Sequence, residues 1–240
     1  MPALIELHDV SKSFGSVRAI RDVSLHVDEG EALGIVGPNG AGKTTLLNII
    51  AGSLRADSGD VVFEGRDITR LPGHRHCREG IARTFQIPRP FGGLTAFENV
   101  LVGAMYGRSD GSGDRKQAAI ASLERAHLLA KSNTLAGQLT LLERKRLELA
   151  RALVTEPRVL LLDEIAGGLT EPEMNELIGT VQDLRAQGVS IVWIEHIVHA
   201  LLSVVDRLVA LAAGTKLIEG DPQAVIDSPE LRDVYLGREL

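Results

Sequence analysis

Residues 37–44 could hold a phosphate group, because they read G-P-N-G-A-G-K-T and match the pattern G-x-x-x-x-G-K-[ST] in full. Glycines let the backbone curl so that successive N–H groups face a phosphate, and a helix that starts there adds its positive dipole end. Lys43 supplies a positive charge for the β- and γ-phosphates, and the Thr44 hydroxyl can coordinate Mg²⁺. A glycine-rich turn that binds nothing is the alternative. The residues predicted to contact a nucleotide here are Gly37, Pro38, Asn39, Gly40, Ala41, Gly42, Lys43, Thr44 and Thr45.

Two acidic residues, Asp163 and Glu164, directly follow the apolar run V-L-L-L at 159–162. Such a run is typical of a central parallel strand, whose carboxyl end lies on the ligand side of an open α/β sheet. We expect Asp163 to hold Mg²⁺ through water and Glu164 to polarise an attacking water. Two solvated acids at a strand end are the alternative without chemistry.

A histidine, His196, follows another buried strand predicted at 190–194. A side chain at this position can contact the γ-phosphate and orient Glu164 or the water. A lone histidine after an apolar strand is usually structural. The succession of phosphate loop, acidic strand end and histidine strand end favours the functional interpretation.

These side chains need a parallel sheet to bring them together, and the chain alternates strand-like and helix-like segments. The apolar run 32–36 leads into the phosphate loop, and 43–51 is predicted to be a helix. Residues 4–8 and 23–27 alternate apolar and polar, as half-buried strands do. We predict an α/β fold with a P-loop NTPase core and an N-terminal antiparallel β region. Further strands are predicted at 61–63, 81–85, 208–212 and 216–219, and further helices at 171–187, 222–227 and 229–235.

Residues from about 94 to 156 are helix-forming almost throughout, apart from a flexible connector predicted at 107–114. We interpret this region as a helical insert in the α/β core. The prediction is one domain over 1–240 with a helical subdomain at approximately 88–156.

Two clusters of polar residues receive plain structural interpretations. Apart from 81–85, residues 66–93 are rich in Gly, Pro and Arg, and we expect His74, His76 and Cys77 to sit there in a solvated loop. Their spacing fits no standard zinc pattern. The basic run 144–146 is expected to form a solvated helix face rather than a nucleic-acid patch.

The composition favours a globular protein, with 44% hydrophobic residues, 24% charged residues and a net charge of −6. An acidic chain is a poor candidate for nucleic-acid binding by bulk charge, so no nucleic-acid partner is expected. The one cysteine allows no internal disulfide and favours a reducing compartment. We expect no secretory signal, because the N-terminal residues lack a basic stretch followed by an apolar core. We expect no membrane span, because charged residues interrupt the most apolar region, 191–213.

The motifs together resemble those of the ATP-binding subunits of ABC transporters, along nearly the whole chain. Residues 37–44 resemble the Walker A motif and 159–163 the Walker B motif. Glu164 matches the family's catalytic glutamate and His196 its switch histidine. The resemblance therefore implies a P-loop core of the ABC ATPase type that hydrolyses ATP with Mg²⁺.

The resemblance assigns roles to two further side chains. Gln86, in A-R-T-F-Q, matches the Q-loop glutamine, which in the family reaches the Mg²⁺ and the water and relays contact with the membrane subunit. Phe14 matches the aromatic residue that stacks on adenine, and core packing is its alternative.

The family signature Leu-Ser-Gly-Gly-Gln corresponds here to L-T-L-L-E at 139–143. In the family this segment binds the γ-phosphate of the nucleotide held by the opposite subunit. Leucine adds bulk where glycine allows close approach, and Glu143 brings a negative charge unless 144–146 offset it. We predict that the composite site is weakened or specialised. The nucleotide contacts implied for this segment are Thr140, Leu141, Leu142 and Glu143.

Three segments, 82–86, 94–100 and 234–237, resemble the branched-chain amino-acid importer group, which includes members thought to move urea or amides. The implied partners are a second ATP-binding subunit, identical or different, transmembrane permease subunits and, indirectly, a solute-binding protein. The implied location is peripheral, on the cytoplasmic face of the inner membrane.

Two other functions fit the same motifs. One is a non-transport ABC ATPase in repair or translation, although such proteins usually fuse two cassettes or carry long coiled-coil inserts. The other is a regulatory module that binds ATP and hydrolyses it weakly because of its altered signature.

Overall fold

The computed structural model describes residues 3–107 and 114–236, in which two β-sheets are packed with helices. The strands are β1 (Ala3–Phe14), β2 (Val17–Asp28), β3 (Ala32–Val36), β4 (Ser58–Phe63), β5 (Arg66–Asp67), β6 (Ile81–Arg83), β7 (Val159–Asp163), β8 (Ser190–Ile194), β9 (Arg207–Ala212) and β10 (Thr215–Gly220). The helices are α1 (Lys43–Ile50), α2 (Gly73–Glu79), α3 (Ala96–Tyr106), α4 (Arg115–Arg125), α5 (Leu141–Leu153), α6 (Glu171–Ala186), α7 (Val198–Leu202), α8 (Pro222–Asp227) and α9 (Pro229–Tyr235).

The central sheet has six strands in the order β10-β9-β3-β8-β7-β6. Its pairs are parallel except for β9 with β10. Every residue of β3, β7 and β8 is buried, which explains their apolar sequences, because both faces of such a sheet are covered. The predicted α/β class is confirmed.

The second sheet is antiparallel, with four strands in the order β2-β1-β4-β5. Its first two strands extend well beyond the predicted ranges 4–8 and 23–27, because they pair along their lengths as far as Phe14 and Val17. The predicted N-terminal antiparallel β region is therefore confirmed, and it is larger than the alternating patterns indicated.

Helix α1 lies in the apolar core between the two sheets. Its side chains Leu46, Leu47 and Ile50 are fully buried there, among residues of β1, β2, β3 and β4. A second core covers the opposite face of the central sheet and joins it to α3, α4, α5 and α6. The start of α1, which directly follows the glycines of the phosphate loop, is thereby held rigidly against the central sheet.

Helices α3, α4 and α5 lie within the range predicted as a helical insert. Helices α3, α5 and α6 each begin with a capping box, in which a threonine and a glutamate three residues later satisfy each other's backbone N–H groups. Positions 108–113 of the predicted connector lie outside the described residues. Within the described ranges, no helix is long and apolar enough to cross a membrane.

The prediction of a solvated loop around His76 was wrong. Residues 73–79 form α2, and the His76 side chain is buried between the two carbonyl oxygens of Ile50 and Ile68, 2.9 Å from the first and 3.0 Å from the second. The buried histidine therefore links α2 to α1 and to the segment after β5. The described residues contain no group of three or more His, Cys, Asp or Glu side chains that could hold a metal ion.

Strand order decides which side chains meet at the carboxyl edge of the central sheet. Strand β8 lies between β3 and β7, with Ile194 opposite both Ile35 and Asp163. The phosphate loop after β3, the acidic pair at the end of β7 and the histidine after β8 therefore leave the sheet side by side.

Candidate active site

The phosphate loop has a backbone path that only glycine allows at two positions. Gly37 has φ +147°, and a Cβ there would lie 2.1 Å from the carbonyl oxygen of Leu211 in β9. Gly42 has φ +100°, and a Cβ would lie 2.4 Å from the carbonyl oxygen of Ala19 in β2. The loop is thus pressed against both sheets, which fixes the direction of its N–H groups.

Lys43 opens α1 and points back across the loop. Its Nζ donates to the carbonyl oxygens of Gly37 at 2.7 Å and Pro38 at 3.1 Å. Burial lowers the pKa of Lys43, an effect that the nearby carboxylates of Glu164 and Asp163 oppose. Among the described residues, no side chain caps α1. The ammonium group and the first turn of the helix can therefore both serve an anion.

Asp163 presents its two carboxylate oxygens to different neighbours. The Thr44 hydroxyl donates to Oδ1 over 3.5 Å, and Nη2 of Arg83 lies 3.2 Å from Oδ2. Burial raises the pKa of Asp163, and the Arg83 guanidinium opposes that rise. Asp163 therefore sits with the Thr44 hydroxyl on one side and the partly buried Arg83 guanidinium on the other.

Glu164 is held in a left-handed backbone conformation with φ +47°. Its N–H donates to the carbonyl oxygen of Ile194 at 2.8 Å, and its Oε2 accepts from Nε2 of Gln86 at 2.5 Å. A carboxylate oriented by an amide in this way can polarise a water molecule.

His196 leaves β8 next to the buried residue Glu195. The His196 Nδ1 lies 3.3 Å from Oε1 of Glu195, while Oε2 of Glu195 accepts from the N–H of Ala166 at 3.1 Å. Burial raises the pKa of Glu195, and hydrogen bonds from the backbone N–H groups of Ala166 and His196 oppose the rise. Glu195 thus ties the histidine to the segment that follows Glu164.

Two neighbouring cavities bring most of the predicted residues together. A cavity of about 660 Å³ is lined by Gly37, Pro38, Asn39, Gln86, Glu164, His196 and Tyr235. A cavity of about 310 Å³ is lined by Phe14, Ala19, the loop residues 39–45 and Glu164. Phe14 is the last residue of β1, and its ring is half exposed. The alternative interpretation, in which Phe14 packs in the core, is therefore wrong.

The segment 139–143 lies apart from both cavities, since none of its residues is among those described as lining them. The Thr140 hydroxyl accepts from the N–H of Glu143 at 3.3 Å, and Oε2 of Glu143 accepts from the N–H of Thr140 at 2.9 Å. Lys131 pairs with the other oxygen of Glu143 at 3.1 Å. The charge of Glu143 is therefore offset by Lys131 and by the backbone, not by 144–146.

The prediction that the basic run 144–146 forms a solvated helix face is wrong. Lys145 is buried, which lowers its pKa, and Arg146 pairs with Glu176 of α6 at 3.1 Å. The run therefore packs between helices, because one face of α5 is turned toward α6 and the sheet.

A family model for ABC transporters matches residues 20–167. The chain belongs to the ABC transporter family. The high-affinity branched-chain amino acid transport ATP-binding protein BraF of Pseudomonas aeruginosa is 34% identical over 249 residues, covering 98% of this ABC protein and 98% of BraF. The lipopolysaccharide export system ATP-binding protein LptB of Acidithiobacillus ferridurans is 36% identical over 237 residues, covering 99% and 98%.

A solved ABC cassette has the same fold. The crystal structure of the ADP conformation of MJ1267, an ATP-binding cassette of an ABC transporter, superposes with a TM-score of 0.90 at 31% identity, covering 99% of this chain and 100% of MJ1267. The P-loop core of the ABC ATPase type is confirmed. This ABC protein binds adenine nucleotide and is an ATP hydrolase.

Three residues of the site escaped the sequence interpretation: Arg83, Glu195 and Tyr235. Arg83 lies within the strand predicted at 81–85, and Glu195 directly follows the strand predicted at 190–194. A charged residue in or next to an apolar strand is a signal that could have indicated an ion pair or a hydrogen-bond network. Tyr235 is 198 residues from the glycine that it contacts, so no local pattern could identify it.

Proposed function

We propose that this ABC ATPase energises the import of branched-chain amino acids or related small solutes through a membrane permease. The hydrolysis is supported above all by one observation, the convergence of Gln86, Glu164, His196 and the phosphate loop on one cavity. Similarity to BraF over 98% of both chains supports import. LptB is named for export, so the relatives differ in the direction of transport and in the solute. Import and the solute class are therefore the parts of the proposal that the uptake experiment must test.

In this proposal Glu164 orients or deprotonates the attacking water, and its hydrogen bond from Gln86 selects the orientation of the carboxylate. Lys43 stabilises the negative charge that develops on the β- and γ-phosphates. His196 contacts the γ-phosphate side, and Phe14 offers its exposed ring to the adenine. The phosphate loop residues 37–45 donate backbone N–H groups to the phosphates.

The residues proposed to hold Mg²⁺ have the oxygen donors that this ion prefers. The Thr44 hydroxyl and Oδ1 of Asp163 are 3.5 Å apart, and Gln86 keeps its carbonyl oxygen free because its amide nitrogen donates to Glu164. When bound, Mg²⁺ would neutralise charge on the β- and γ-phosphates.

A second ATP-binding subunit is part of the proposal, because the signature of one chain does not reach its own phosphate loop. We propose that Thr140, Leu141 and Glu143 face a nucleotide held by a partner instead, whereas the side chain of Leu142, the fourth predicted contact, is buried. Leu141 is partly exposed at the start of α5 and lies close to Gly168, so it would stand at such an interface.

The proposed permease contact is an apolar groove of about 410 Å³ between the central sheet and α3 and α5. Phe85 and Phe91 both line it and are half exposed, and Phe85 precedes Gln86. A cytoplasmic segment of the permease inserted there would press directly on the Gln86 segment. In this proposal the subunit lies peripherally on the cytoplasmic face of the inner membrane, and a solute-binding protein acts through the permease.

Uptake of labelled leucine, isoleucine and valine tests the proposal. Deletion of the gene from its host should reduce uptake, the wild-type gene should restore it, and Glu164→Gln should not. Glu171→Gln, at an exposed acidic residue of α6, serves as the matched control and should restore uptake. Uptake that survives deletion, with a urea and amide uptake series also unchanged, would overturn the import proposal while leaving the ATPase assignment intact.

The alternative of a regulatory or non-transport ATPase is not favoured, because the relatives reported above are named as transport components. Steady-state ATPase activity of the purified chain distinguishes a regulatory module from a transport ATPase. A regulatory module would bind ATP with turnover near the Glu164→Gln level.

A further inference from the structure

Tyr235 is the last residue of α9, at the opposite end of the chain from the phosphate loop that it touches. Its hydroxyl accepts a hydrogen bond from the backbone N–H of Gly37 at 3.2 Å. The partner of this N–H, at the entry to the loop, is thus a side chain that arrives from the C-terminal helix.

Gly37 is fixed from a second direction as well. The carbonyl oxygen of Leu211 in β9 lies so close that a Cβ on Gly37 would stand 2.1 Å away from it. The first residue of the loop is therefore held between β9 and α9. Loss of either neighbour would let the loop entry move, together with Pro38, whose carbonyl oxygen receives the Lys43 ammonium.

The Tyr235 hydroxyl also faces the hydrolysis side of the site. Tyr235 lines the same cavity as Gln86, Glu164 and His196. A phenol that accepts one hydrogen bond still has its own proton to donate. The Tyr235 side chain is half exposed, and its partial burial raises its pKa, although the Gly37 hydrogen bond opposes that rise.

The helix that carries Tyr235 is well anchored. Leu231 is buried, and its N–H donates to the Ser228 hydroxyl that caps α9 at 3.3 Å. Helix α9 packs against α8 and β10, which is paired with β9. The tyrosine is consequently placed by the same strands that press on Gly37.

We propose that Tyr235 is a positioning residue of the ATPase site, which fixes the first glycine of the phosphate loop and directs its hydroxyl to the γ-phosphate side. The inference rests on the proposed roles of Glu164, His196 and Gln86 in that cavity. Helix α9 therefore contributes to hydrolysis by positioning the phosphate loop. A substitution of Tyr235 in α9 alters turnover rather than nucleotide affinity.

Steady-state kinetics of Tyr235→Phe test this directly, because the ring stays and only the hydroxyl is lost. The kcat for ATP should fall roughly 3- to 10-fold, as expected for one lost hydrogen bond, while KM changes by less than about 2-fold. Tyr106→Phe, at the other tyrosine of the chain, is the matched control and should match wild type. Unchanged kcat in Tyr235→Phe would overturn the inference, as would a fall in thermal stability alone.

Ring-labelled tyrosine gives a readout that a purely structural role would not move. The chain has two tyrosines, so the Tyr106→Phe variant leaves the signal of Tyr235 by itself. A non-hydrolysable ATP analogue with Mg²⁺ should shift this signal more than ADP does. Equal shifts with both nucleotides, or none, would show that the hydroxyl does not sense the γ-phosphate side.

The two proposals fail in different ways. If Glu164→Gln hydrolyses ATP at the wild-type rate, the proposed site itself is wrong. If Glu164→Gln is inactive while Tyr235→Phe equals wild type, only the role of Tyr235 is wrong.

Discussion

Three charged residues of the site, Lys43, Asp163 and Glu164, are held in environments or conformations that destabilise the ligand-free protein. Burial lowers the pKa of Lys43 and raises that of Asp163, so each charge is partly desolvated before any phosphate arrives. Glu164 is also held at φ +47°, a conformation that costs a non-glycine residue roughly 1–2 kcal/mol. The functional residues are thus kept in place by the surrounding strands, not by their own preferences.

Lys43→Ala should abolish stabilisation by nucleotide. ATP with Mg²⁺ at 100 times its Kd should stabilise the wild-type protein by about 2.7 kcal/mol, because it binds only the folded state. The variant lacks the ammonium group that faces the loop, so its melting temperature should not respond. Thermal unfolding with and without nucleotide measures this, and Lys116→Ala, at an exposed lysine of α4, should respond like wild type. An equal response in Lys43→Ala would contradict the proposed phosphate site.

Glu164→Gln should separate binding from hydrolysis. The substitution preserves size and an oxygen that can accept from Gln86, but it removes the proposed base, and a general base typically contributes 10²- to 10⁴-fold to rate. We expect kcat to fall by at least about 100-fold, with the Kd for ATP within about 3-fold of wild type. Rapid-quench kinetics and calorimetry measure the two quantities. Near-normal turnover would remove Glu164 from its proposed role.

At the scale of elements, the N-terminus of α5 is already satisfied by the chain itself. The capping box uses the Thr140 hydroxyl and the Glu143 carboxylate, and Lys131 neutralises the remaining charge. Burial raises the pKa of Glu143, but its hydrogen bonds with Thr140 and Lys131 outweigh this and hold it below its usual value. A partner's γ-phosphate would have to compete with this internal carboxylate for the same helix end.

Glu143→Gln tests that competition without disturbing the helix, since glutamine also completes a capping box. Removing one negative charge from the helix end should raise ATPase activity roughly two- to five-fold, corresponding to 0.3–1 kcal/mol. Activity per chain is measured over a range of protein concentrations, because the proposed composite site needs two subunits. Glu98→Gln, in the equivalent box of α3, is the control and should have no effect.

An unchanged or lower rate in Glu143→Gln, at unchanged stability, would show that the internal carboxylate does not weaken the composite site. Replacing Leu142 by glycine is a poorer test, because Leu142 is buried and its loss would destabilise the core.

At the scale of the whole molecule, the order of strands creates the site, and acidic capping residues help to hold three helices that pack on the central sheet. The glutamates of the three capping boxes, Glu98, Glu143 and Glu173, all have a lowered pKa. Hydrogen bonds from the backbone N–H of the capping threonine lower it in each case, although burial opposes them. Each therefore binds protons less readily in the folded than in the unfolded protein.

This difference predicts acid sensitivity. A carboxyl whose pKa is lowered by folding stabilises the protein above its unfolded pKa, near 4.5, and that contribution disappears as the pH falls through the folded pKa. The triple variant with glutamine at 98, 143 and 173 should lose stability less steeply than wild type between about pH 5 and 3. Urea unfolding across this range measures the slopes, and equal slopes would contradict the assignment.

Local patterns were sufficient for the three central strands and the phosphate loop. The runs at 32–36, 159–162 and 190–194 are apolar because parallel strands are buried on both faces, and this reason acts residue by residue. The signal failed for α2, because its sequence G-H-R-H-C-R-E has no clear apolar period. Burial of His76 depends on two carbonyl groups that other elements supply.

The sequence by itself determined the P-loop chemistry, the α/β alternation and the family, since these follow from short motifs and hydrophobic period. Only the tertiary structure decided that Arg83 faces Asp163, that Lys131 neutralises Glu143 and that Tyr235 holds Gly37. These contacts join residues that are 80, 12 and 198 positions apart. Strand order and helix packing bring them together, and no local pattern encodes which distant side chain will arrive.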